Sequence, residues 1–184
     1  FPEPISGRPI LTISPSATAT PGRYDLTITG TSGSVQHSTT LTLYISDFEM
    51  FASESVISAR QGEIRDFTLT IQSASDTRFA GTVTLQSNPT EIDGVDVSIL
   101  PSSISIPQGG SSQATVRLTV SDTANIKTHA INIIGTVTGT APSLEHMITI
   151  TVLVVTNPLF VDVQANPSPA ILFQEASIIV TVTD

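Results

Sequence analysis

The chain has 184 residues, with seven Lys and Arg against 16 Asp and Glu and a formal charge of −9. That balance argues against nucleic acid, which needs a basic footprint, and against an anionic membrane surface. Cysteine and tryptophan are absent, which excludes disulfide staples, a cysteine nucleophile, a zinc–thiolate site and the Cys–Trp pin of antibody-type domains.

The first patterned stretch is Gly22–Ile45, GRYDLTITGTSGSVQHSTTLTLYI. It holds an alternating run, then Gly-Thr, a polar loop, a His and a second alternating run, which predicts two strands. Tyr24 follows the Pro21-Gly22 turn and precedes the inward Leu26 by two residues. This resembles a tyrosine corner, in which the phenol bonds back to the loop backbone. Phe48–Ala52 alternates and opens the next unit. Gln61-Gly62 marks a turn before Phe67, Leu69 and Ile71, and a strand over Phe79–Leu85 follows until Ser87-Asn88-Pro89 breaks it. Val95, Val97 and Ile99 alternate; Pro101-Ser102-Ser103 punctuates; Ile104 and Ile106 resume. After the turn Pro107-Gln108-Gly109-Gly110, Val116, Leu118 and Val120 point inward, with Thr115, Arg117 and Thr119 outward. His129, Ile131 and Ile133 form the next inward row, and Leu144, His146, Ile148, Ile150, Val152 and Val154 the last. The longest apolar run, Ile148–Val155, is too short to cross a bilayer as a helix. Short strands with turn chemistry between them predict a Greek-key sandwich.

Lys127–Val154 repeats the pattern of Gly22–Ile45. Gly135 answers Gly30, His146 answers His37, and His129 stands in the place of Tyr24. Ser177–Thr183 matches the inward row of Asp66–Gln72, with Ile178, Val180 and Val182 in the places of Phe67, Leu69 and Ile71. A period near ~110 residues is that of a whole β-sandwich domain. The expected fold is therefore all-β, with tandem immunoglobulin-like Greek-key β-sandwiches. Residues 1–46 are expected to form the C-terminal half of one domain, 47–155 a complete domain, and 156–184 the opening strands of a further one. Such a chain is expected to be a piece of a longer array, or a subunit whose two part-domains are completed by neighbouring molecules.

Gly94–Thr119, GVDVSILPSSISIPQGGSSQATVRLT, resembles a segment of bacterial and archaeal immunoglobulin-like repeats. Those repeats occur in surface-layer proteins, in adhesins and in modules attached to alpha-galactosidases. Asn166–Asp184 is similar to the opening of invasin-type domains. The resemblance implies the fold and an extracellular or cell-surface location, and says little of function.

No residues are expected to be catalytic. His37 and His146 share an inward row and are expected to cap the core at the domain end. Glu91, Asp93 and Asp96 form the best acidic cluster around Gly94, and they are the candidate calcium ligands. A solvated turn is the plainer reading of that loop. Asp47, Glu49 and Glu54 lie near a domain junction, where calcium would stiffen a hinge. No other cofactor is expected. Both Asn-x-Ser/Thr sites carry Pro in the middle, so any glycan would be O-linked. The expected partners are neighbouring repeats of the same chain, or self-association. The expected role is a non-catalytic structural array in a prokaryotic surface layer, sheath or filament. The alternative is a spacer or accessory module of a large secreted enzyme or adhesin.

Overall fold

The computed structural model describes residues 7, 9–16, 18–138, 143–156, 160–166 and 177–183. Among them every regular element is a strand. β1 (Gly22–Ser32) and β2 (Val35–Ile45) form a hairpin of their own. Its two-residue turn needs a left-handed residue, and Gly33 supplies it at φ 59°.

Two five-stranded sheets follow. The first contains β3 (Phe48–Ala52), β5 (Ile64–Ser73), β10 (Ser111–Val120), β8 (Val95–Leu100) and the two-residue β7 (Glu91–Ile92), in the order β3-β5-β10-β8-β7. The second contains β4 (Val56–Arg60), β12 (Leu144–Val155), β11 (Thr128–Val137), β6 (Gly81–Asn88) and β9 (Ser103–Ile106), in the order β4-β12-β11-β6-β9. All pairings are antiparallel except β4 with β12, which is parallel. The chain crosses between the sheets after β3, β4, β5, β6, β8, β9 and β10. This is an immunoglobulin-like sandwich whose opening strand is split between the two sheets. Two further strands, β13 (Phe160–Asn166) and β14 (Ser177–Thr183), pair with each other.

The inward rows meet in one core. Phe48, Leu69, Ile71, Val95, Val116 and Leu118 come from the first sheet; Ile57, Val83, Ile131, Ile133, Ile150, Val152 and Val154 come from the second. Each is nearly or fully removed from water, and burying such a side chain is worth about 1.5–3 kcal/mol. The rows expected at Val116–Val120 and His129–Ile133 are buried. Three elements differ from expectation. β4 carries only two inward residues, Ile57 and Ala59, too few to read as alternation. The strand expected from Phe79 begins at Gly81, although Phe79 is itself buried. The Glu91–Asp96 loop contains the short strand β7, paired to β8.

At the centre of β11, Gly135 lets the sheets approach. A Cβ there would lie 2.5 Å from Met50 Sδ and 3.2 Å from both Phe48 and Val83. Gly135 pairs across the ladder with His146, and Gly30 pairs with His37 in the same way. Yet nothing lies within 4 Å of a Cβ built on Gly30. Ile28 is 41% exposed and Leu41 40%, whereas Ile133 and Ile150, at the corresponding ladder positions, are 0% and 2%. His37 was expected in an inward row; it is exposed, because no second sheet lies over β1–β2 among the described residues.

Candidate functional site: the Asp47 joint and the Asp93 turn

β2 runs into β3 through only Ser46 and Asp47, and the loop after β5 grips these two residues. Thr77, a buried polar residue, donates its hydroxyl to the carbonyls of Asp47 (3.0 Å) and Ala74 (2.8 Å). Ala74 N donates to the same Asp47 carbonyl at 3.0 Å. Ser46 Oγ donates to Thr77 O at 3.0 Å. Two residues of this loop, Asp76 (φ 60°) and Arg78 (φ 53°), hold left-handed backbone that costs a non-glycine residue about 1–3 kcal/mol. Arg78 spends that conformation on a contact with the hairpin: its guanidinium lies 4.4 Å from the Tyr44 ring centroid.

The second sheet holds the same joint from the other side. Asp47 Oδ1 accepts Phe48 N at 2.8 Å and lies 2.7 Å from His146 Nε2. The imidazole stands edge-on to Phe48, with centroids 4.7 Å apart. His146 thus caps the core at the start of β12, as expected of it. An open cleft of about 570 Å³ flanks this pair, lined by Thr20, Pro21, Asp47, Leu144, Glu145 and His146 among others.

The tyrosine corner is present. Tyr24 OH donates to Thr20 O, four residues back, at 2.8 Å. His129 Nε2 makes the corresponding bond to Asn125 O, also four residues back, at 3.2 Å. The histidine ring replaces the phenol at the start of β11. Its side chain is fully buried, and Nδ1 has no hydrogen-bond partner.

Asp93 and Gly94 turn β7 into β8, with φ 50° and 85°; two left-handed residues in succession suit a two-residue hairpin turn. Asp93 O accepts Asn125 N, and Gly94 O accepts Ser121 N, so the turn is tied to the loop before β11. The Lys127 ammonium bonded to Asp93 holds its carboxyl below the usual carboxylate range, and His129 Nδ1 lies 3.6 Å from Asp93 Oδ2. The candidate calcium ligands do not converge. Asp93 faces Lys127, Glu91 Oε1 lies 3.4 Å from Gly94 N, and Asp96 is exposed on β8. Glu49 and Glu54 turn to Gln72 and Arg65, away from Asp47. Among the described residues no three His, Cys, Asp or Glu side chains gather into a metal-binding group. Nor does any hydroxyl there hydrogen-bond a histidine ring.

The Thr77 clamp went unnoticed in the sequence, because one threonine among many carries no signal. No protein-family model and no curated protein matches the sequence. Among solved structures the chain is similar to domains 4 and 5 of the S-layer protein SbsC, at 21% identity over 74% of this chain and 60% of that one, with a TM-score of 0.42. SbsC domains 4–9 match at 18% identity over 90% of this chain and 24% of that one, TM-score 0.44. The E. coli chaperone DraB matches at 13% over 59% and 55%, TM-score 0.41. The chain spans 60% of the two-domain SbsC structure and about a quarter of the longer one.

Proposed function

We propose that this protein is a non-catalytic structural element, a row of immunoglobulin-like units held end to end, built for a prokaryotic surface layer, sheath or filament. The observation that carries this reading is the joint at Ser46–Asp47. A two-residue connection is held by five hydrogen bonds and one cation–π contact, drawn from both sheets. Each such bond contributes about 0.5–1.5 kcal/mol, and the cation–π contact about 0.5–1 kcal/mol. A joint so constrained fixes the direction in which one unit leaves the next. The shared ladder positions of β1–β2 and β11–β12 support the reading of successive like units. With β12 at 12 residues, each unit adds about 40 Å of length.

Small-angle scattering of the full chain and antibody labelling of intact source cells test the two halves of this proposal. The expected results are an elongated particle with a narrow conformational spread, and label on the outside of unbroken cells. A broad distribution of joint angles would defeat the rod; label reached only after lysis would defeat the location.

A further inference from the structure

We propose that the outer face of the β4-β12-β11-β6-β9 sheet stacks, with strands reversed, on the same face of a second copy of this chain. A net charge of −9 makes copies repel one another, so a contact between them must fall where that charge is absent. The outer face of the first sheet does not qualify: Glu49, Asp66, Glu91 and Asp96 stand there against Arg117 alone. The outer face of the second sheet carries one acid and one base, Glu145 and Arg60, among hydroxyl and amide side chains. It also exposes Val56 (65%), Met147 (58%) and Leu153 (40%). Loss of charge at the centre, with methionine present and polar groups at the rim, is the make-up of a protein interface. All of this surface lies on the outside of the complete sandwich, where neither sheet lacks its partner.

The order of residues along β12 decides how two such faces match. Its outward residues Glu145, Met147, Thr149, Thr151 and Leu153 alternate about Ile150. Reversing one copy about that point lays Met147 on Leu153 and Thr149 on Thr151. It brings Glu145 to the row of Val155, whose neighbour on β4 is Arg60. Among the described residues neither Glu145 nor Arg60 has an ion-pair partner in its own chain. Adjacent strands are about 4.8 Å apart, a step that an arginine side chain spans. Two-fold symmetry makes each contact twice, with two Met147–Leu153 contacts inside and two Glu145–Arg60 pairs outside. Stacking in the same direction would set Met147 on Met147 and leave Glu145 and Arg60 at opposite ends of β12. At ~3.3 Å per residue and ~4.8 Å between strands the face covers about 600 Å². A standard interface takes about 800 Å² from each partner, so the association is reversible.

Sedimentation velocity of the full chain over a concentration series tests this, with Arg60→Glu, Glu145→Arg and the double variant beside the wild type. The wild type is expected to pass from monomer to dimer as concentration rises. Each single variant sets like charges together at both ends of the contact and is expected to raise the dissociation constant about tenfold or more. The double variant restores both pairs with their signs exchanged and is expected to dimerise as the wild type does. The two single variants, mixed in equal amounts, are expected to form a heterodimer, because one supplies the bases and the other the acids. A wild type that stays monomeric, single variants that associate as it does, or a double variant no better than the singles would each overturn the proposal. The reading of a stiff rod does not depend on the result: a monomer with a rigid joint would leave it standing.

Discussion

His146 Nε2 lies 2.7 Å from Asp47 Oδ1, joining the start of β12 to the residue that connects β2 to β3, 99 positions earlier in the chain. One carboxylate oxygen therefore serves two elements, since it also accepts the amide of Phe48. Asp47→Ala removes both bonds and is expected to cost about 1–3 kcal/mol, measured as a lower denaturant midpoint. Asp47→Asn keeps an acceptor for Phe48 N and should recover part of that loss. An Asp47→Ala variant as stable as the wild type would show that the carboxylate is not what holds the joint.

The two glycines at equivalent ladder positions give opposite predictions. Gly135→Ala forces a methyl against Met50, Phe48 and Val83, an overpacking expected to cost about 1–3 kcal/mol. Gly30→Ala meets nothing and restricts the unfolded chain, so it is expected to be neutral or stabilising by up to ~1 kcal/mol. Thermal melts of the two variants side by side check this.

His129→Phe keeps the ring and loses the bond to Asn125 O. The carbonyl is then left without this partner at the edge of the core, at an expected cost of about 1–3 kcal/mol. Tyr24→Phe removes the same kind of bond at a residue that is 38% exposed, where water can replace it; its cost should be smaller. Chemical denaturation ranks the two, and the reverse order would contradict this account of the corner.

Acid should weaken the fold through two surface pairs. The bonds from Arg117 to Asp66 and from Lys127 to Asp93 hold both carboxyls below their usual range. A carboxyl whose folded pKa lies below its unfolded value contributes stability above the unfolded value, about 3.9, and loses it as pH falls through the folded one. Both pairs are solvent-accessible, so the effect is modest and shrinks with salt. Stability is expected to fall below about pH 4, and less steeply in the double variant Asp66→Asn, Asp93→Asn. An unchanged slope would remove these pairs from the account.

Because Lys127 occupies Asp93, calcium is expected to leave the amide resonances of Glu91–Asp96 in place. Calcium-dependent shifts confined to that loop would revive its carboxylates as ligands.

Strands with three or more inward residues were legible in the sequence: Phe67–Ile71, Val116–Val120 and the rows from His129 and Leu144 all lie where alternation placed them. β4 was not, because its pairing to β12 is decided by the partner strand and not by its own two buried residues. The corner at Tyr24 was readable from local spacing, since its bond spans four residues. The clamp was not: Thr77 and Asp47 are 30 positions apart, and neither is a distinctive residue alone. Pattern also placed His37 beside His146 as a core cap. The two share a ladder position, but among the described residues a second sheet lies over His146 and not over His37.

The joint is the centre of the proposed role, and residual dipolar couplings of the full chain test it most directly. If Ser46 and Asp47 are clamped as described, the amides of β1–β2 and those of β3–β12 will fit a single alignment tensor, and Asp47→Ala will split it in two. Separate tensors in the wild type, with smaller couplings in the hairpin, would contradict a rigid joint and with it the rod.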